Sequence, residues 1–156
     1  LTKRDTVAKA AALRNEVAAF LADLPGDRAE ERVGSGKWTP ADIVAHLAYW
    51  NERLPADLQL CLDDATAPES GYVTNQRVAR ERADWSLERA GVALTAATEP
   101  MLAAIAALPQ DHPRFAPALK LAHHEAVEHV ESHLAQLRAW RSERAEPSVV
   151  EAAVGE

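Results

Sequence analysis

Three histidines are placed to share one ion. His129 and His133 are four residues apart in a stretch with helical spacing, so their imidazoles project from adjacent turns of the same side, about 40° apart around the helix. His46 falls in the middle of the apolar stripe of an earlier segment, where a facing helix can supply a third nitrogen. Burying three imidazoles without partners costs on the order of 1 to 3 kcal/mol per unsatisfied group, which a shared cation relieves. Three neutral nitrogens on a divalent ion leave at least one position for water or substrate, the arrangement of a catalytic centre. Zinc, nickel, iron and manganese all accept imidazole, and the stability order of first-row ions does not choose among them.

Other side chains can act around such an ion. Glu125, four residues before His129, is a candidate fourth ligand or acid/base group; as a plain helix-edge carboxylate it would only be solvated. Tyr49, three residues after His46, could donate a hydrogen bond to an oxygen on the metal, or simply fill the edge of the helix packing. Gln136 and Asn75 are weaker candidates. His123 and His124 point away from the pair and are expected at the surface, and His112 is expected in a solvated loop. The single cysteine, Cys61, is expected to be an inert buried residue.

These groups need helices to hold them. The apolar positions Val7, Ala10, Leu13, Val17, Phe20, Leu21 and Leu24 predict a first helix, stopped by Pro25-Gly26-Asp27. A charged connection with Gly34-Ser35-Gly36 follows. Trp38-Thr39-Pro40-Ala41-Asp42-Ile43 then carries a helix start: Thr39 as cap, Pro40 at the first position, Asp42 closing the capping box, and Trp38 with Ile43 as a staple. Ile43, His46, Leu47, Trp50 and Leu54 form its stripe, and Pro55 predicts a kink or interruption before Ala56 to Leu62.

Residues 63–71 have loop composition and Tyr72 to Trp85 a short helical approach. Ser86 caps the next helix, where Leu87, Leu94, Met101 and Leu108 recur every seven residues; Pro100 predicts a bend or a restart capped by Thr98. After a loop at 109–113, Leu119, Ala122, Ala126, His129, His133, Leu137 and Trp140 alternate steps of three and four as a bundle seam ending near Arg144. Trp50 and Trp140 take seam positions, and Trp85 can staple the Ser86 cap. The expected architecture is all-α: a four-helix bundle with long connecting loops, one domain over residues 1–144 and a mobile tail over 145–156.

Composition agrees with helix and bounds the partners. Ala and Leu supply much of the 47% hydrophobic content over 156 residues, and Gly is limited to 6. A net charge of -7 argues against nucleic acid and anionic membrane surfaces and in favour of small molecules. One cysteine excludes an intrachain disulfide and Cys-rich zinc modules, which fits a reducing, cytoplasmic setting. No run approaches the roughly 18 apolar residues of a membrane span, and no apolar core like a signal peptide's follows Leu1-Thr2-Lys3-Arg4-Asp5. Because the chain opens on Leu1, its numbering is expected to start after residues that were trimmed or left out.

Trp38 to Leu47 resembles the opening of the second helix in the DinB-like (YfiT-like) superfamily of metal-binding four-helix bundles, and His129-Val130-Glu131-Ser132-His133-Leu134-Ala135-Gln136 is similar to its H-x-x-x-H-x-x-Q motif. The likeness runs from the first helix to Trp140. It implies a divalent ion held by His46, His129 and His133, often in a homodimer, in a group containing hydrolases and transferases or isomerases that use a low-molecular-weight thiol. Some members carry Glu at the place of His129; this chain keeps the all-histidine version. Asn75 lies in a segment similar to one in subfamilies acting as small-molecule resistance proteins. The leading expectation is therefore a metalloenzyme acting on a small-molecule substrate. A metal-free binding or resistance protein on the same bundle is the alternative, and a helical interaction module working through a dimer face is a third.

Overall fold

Four helices begin on a Ser or Thr whose side-chain oxygen takes a backbone N–H of the first turn, satisfying a donor the helix itself cannot. They are α1 (Lys3–Asp23, capped by Thr2), α2 (Pro40–Leu62, Thr39), α3 (Gly71–Glu81, Ser70) and α4 (Leu87–Ala106, Ser86). The α2 start is a full capping box. Thr39 Oγ1 accepts from the Asp42 N–H at 3.2 Å, and Asp42 Oδ2 accepts from the Thr39 N–H at 3.0 Å. The computed structural model describes residues 1–145, so the tail expected at 145–156 lies, apart from Ala145, outside the described residues.

The C-terminal run is one helix in three parts: α5 (Phe115–His123), a π-helical turn (His124–Glu128) and α6 (His129–Ala145). Every regular element among the described residues is helical, including a 3-10 turn at Gly26–Arg28. α2 lies along α4 in the most extensive helix contact, α1 packs on α4, and the C-terminal run packs against both α1 and α2. Their inner faces share one apolar core that includes Val17, Ile43, Leu47, Leu54, Met101, Ile105, Val130, Leu134 and Leu137. No helix among the described residues is long and apolar enough to cross a membrane.

Three expectations are corrected by this packing. Pro55 does not interrupt α2 and Pro100 does not restart α4; both helices run through. A proline inside a helix costs about 3 kcal/mol. Burying Leu54 and Leu58 beside the first, and Met101 and Ile105 beside the second, returns about 1.5 to 3 kcal/mol for each side chain, so burial wins. Thr98 consequently caps nothing: its hydroxyl donates back to the Leu94 carbonyl at 2.9 Å.

The third correction concerns the last seam. The sequence spacing puts His129 and His133 in line with Ala122 and Ala126, but the π turn holds an extra residue and rotates everything after it by about 100°. Val127, Val130 and Leu134 take the core positions, Leu137 and Trp140 stay buried, and the histidine pair moves to the edge of the packing, half-buried.

The connection between α1 and α2 is pinned rather than free. Val33 is in the core, its N–H donates to the Trp38 carbonyl at 2.9 Å, and its carbonyl accepts from Gly36 at 3.1 Å. Gly34 has φ +59°, which glycine adopts without strain. This tight turn aims Trp38 at the start of α2.

Candidate metal centre

The rotated edge of α6 faces the second turn of α2, and there the three imidazoles meet. His46 Nε2 and His129 Nε2 are 2.9 Å apart, His133 Nε2 and His129 Nε2 are 3.2 Å apart, and ligand atoms of all three lie within 4.8 Å of one another. Ligand distances of about 2.0 to 2.1 Å in a tetrahedral site imply nitrogens roughly 3.3 Å apart, close to the two separations from His129.

The outer nitrogens explain why the inner ones point together. His133 Nδ1 is 3.1 Å from Gln136 Oε1, an oxygen that can only accept, so the ring's proton belongs on Nδ1 and the Nε2 lone pair faces the cluster. Glu125 Oε2 stands 3.3 Å from His129 Nδ1, which favours the same tautomer there. That contact is within ion-pair distance but poorly aligned, and both buried atoms lack a proper hydrogen bond. At least two lone pairs thus converge on one point without a proton between them. A cation satisfies such a set, so the residues present could hold a divalent ion.

Electrostatics keeps the nitrogens free. His46 is 7% exposed, and burial, followed by the nearby His129 and His133, pushes its pKa down from 6.5 to about 3. His133 is lowered as well, by burial and by His129, with the Gln136 contact opposing. Neutral imidazole is the ligating form. Trp38 closes one side, its ring 4.8 Å from that of His46 and stacked at 6.4 Å on that of His133. Beside it a gap of about 10 Å³, walled by His46, Asp42, Ala45 and Arg82, has the volume of about one water.

The remaining candidates fall into two places. Glu125 is brought to the cluster, on the outer side of His129, and it also lines a neighbouring cavity of about 440 Å³. Tyr49 lines that cavity too, but its hydroxyl accepts from Arg77 Nη2 at 3.2 Å, in a network where Arg77 also meets Glu69 at 3.1 Å. Asn75 accepts from Trp50 Nε1 at 2.8 Å, fastening α3 to α2, so Trp50 is an interface residue rather than a seam residue. Cys61 is half-buried in the cavity wall, not enclosed in the core. His124 is exposed as expected. His123 is not, because Thr6 of α1 lies against it, with Oγ1 and Nδ1 3.4 Å apart. His112 is also half-buried, its Nδ1 accepting from the Arg114 N–H at 2.9 Å.

Sequence reasoning passed over Arg14 and Asn51, both buried, and over Trp38 as a wall of the site. The signal was available: Arg14 sits four residues after Ala10 and three before Val17 on the α1 stripe, and Asn51 sits between Leu47 and Leu54 on the α2 stripe. A polar residue in an apolar stripe marks a buried polar contact.

None of the curated proteins and none of the solved structures compared matches the chain. A family model described as the DinB superfamily matches residues 6–137, from the first turns of α1 through most of α6 and across all three histidines. The chain therefore belongs to the DinB superfamily.

Proposed function

We propose that this protein is a metal-dependent enzyme of the hydrolase class, or of the transferase or isomerase class that uses a low-molecular-weight thiol. In this reading a divalent ion is held by His46, His129 and His133 in a four-helix bundle formed by α1, α2, α4 and the C-terminal run. The observation that carries it is the convergence of three Nε2 atoms, with Gln136 against the Nδ1 of His133 and Glu125 near that of His129. When bound, the ion would act as a Lewis acid, lowering the pKa of a water or holding a thiol as thiolate. Glu125 orients His129 and reaches the cavity, so it is the protein's own candidate for moving a proton between the site and a small-molecule substrate there. Tyr49 faces that substrate rather than the ion. We further propose a cytoplasmic homodimer without nucleic-acid or membrane partners, in keeping with the net charge of -7.

One observation favours a second reading, a metal-free small-molecule binding or resistance protein. The 440 Å³ cavity is lined by Tyr49, Trp50, Cys61, Glu69, Arg77 and Glu125 among others, and none of the three clustered histidines is in its wall. Elemental analysis of tag-free protein with His46→Ala and His129→Ala decides between them. Close to one divalent ion per chain, lost in both variants while helical content stays, supports the enzyme; no uptake of added zinc, nickel, iron or manganese by the wild type supports the binding protein.

A further inference from the structure

Arg14 is 7% exposed and its guanidinium points entirely inward. Nε donates to Asn51 Oδ1 at 2.9 Å, with Nη2 on the same oxygen, Nη1 donates to the Ala126 carbonyl at 3.1 Å, and Nη2 lies 3.3 Å from Met101 Sδ. Among the described residues no carboxylate pairs with it, and burial lowers its pKa to about 10. An uncompensated buried cation is an expensive way to fill a stripe position that Leu or Met would fill well.

Its partners say what it holds. Asn51 is on α2, five residues after His46, and its amide donates to the carbonyl of Leu47, the residue after His46, at 2.7 Å. Ala126 is inside the π turn, three residues before His129. A π turn displaces its carbonyls from their usual i+4 donors, and a buried carbonyl needs a partner from somewhere. One rigid fork therefore ties α1 both to the helix that carries His46 and to the turn that aims His129.

We propose that Arg14 is a positioning residue: through Asn51 and the Ala126 carbonyl it holds the π turn in the register that sets His129 against His46. The inference goes beyond the metal reading, and only its second readout rests on that reading.

The test uses Arg14→Met, which keeps the volume, and Arg14→Lys, which keeps the charge and loses the fork. In metal-free protein, hydrogen exchange compares amides 124–131 with those of α4; separately, Co(II) affinity is measured by competition with a chelator. In Arg14→Met the π-turn amides should speed up at least about tenfold more than the α4 amides, and Co(II) should bind about 10- to 100-fold more weakly, with Arg14→Lys recovering part of each. Equal loss of protection in both regions with Co(II) affinity within about twofold of wild type overturns the proposal, since a merely stabilising arginine gives that result. Should Arg14→Met fail to fold, Arg14→Lys decides by the same two comparisons. A wild type that takes up no Co(II) defeats the metal reading alone, and the exchange comparison still judges Arg14.

Discussion

Two polar clusters, the three histidines and the Glu69–Arg77–Tyr49 group, differ in what surrounds them. The histidine cluster is backed by the core and covered by Trp38, and each inner nitrogen is aimed by a contact on its ring's far side or by burial. The Glu69–Arg77–Tyr49 group sits at the outer edge of α3, with Arg77 reaching Glu69, Glu81 and Tyr49 while its side chain stays about one third exposed. It has more hydrogen bonds than the histidines, yet water competes for every one of them. Burial rather than bond number decides which cluster controls stability and chemistry, because low dielectric magnifies both a satisfied and an unsatisfied charge.

The largest expected effect that sharpens this contrast is acid sensitivity of the metal-free protein. Since the folded pKa of His46 is depressed, the unfolded chain takes up its proton first, below about 6.5, and the folded chain only near 3. Stability contributed by keeping His46 neutral is complete above the unfolded value and is lost as pH falls through that window, a loss on the order of a few kcal/mol. Denaturant unfolding of chelator-treated protein at pH 7 and pH 4 measures it, and His46→Gln should flatten the difference. An unchanged pH slope in that variant would mean that the cluster is wetter than its burial implies.

A smaller effect is expected one contact further out. Gln136→Leu removes the partner of His133 Nδ1, frees the ring to take the wrong tautomer, and should weaken divalent-metal binding by about 10- to 100-fold with helical content intact. Chelator competition reads this directly, and undiminished affinity would show that Trp38 and packing alone orient the ring.

The smallest effect belongs to α3. Glu69→Gln removes the carboxylate that the Arg77 guanidinium, and then the Thr74 hydroxyl, hold below its ordinary pKa. In the wild type that pairing contributes at neutral pH and is lost as acid protonates Glu69, so the variant should differ only above that point. A Tm change of less than about 3 °C with unchanged metal content is expected. A larger drop, or altered metal content, would erase the distinction between the two clusters.

The sequence by itself determined where α2 and α4 start, because caps and boxes are local chemistry: Thr39, Asp42 and Ser86 do their work within a few residues. It also named the three histidines that converge, since i, i+4 spacing and a stripe position are visible in one dimension. Only the tertiary structure decided how they converge. The π turn exchanges His129 and His133 for Val130 and Leu134 in the core, a rotation set by how the whole run packs on α1 and α2. Pro55 and Pro100 stay within their helices for a similar reason, and Arg14 finds its oxygens only when residues 37 and 112 positions away arrive beside it. Local rules fix where a helix begins; which face it turns inward depends on the summed burial of partners that no short stretch of sequence contains.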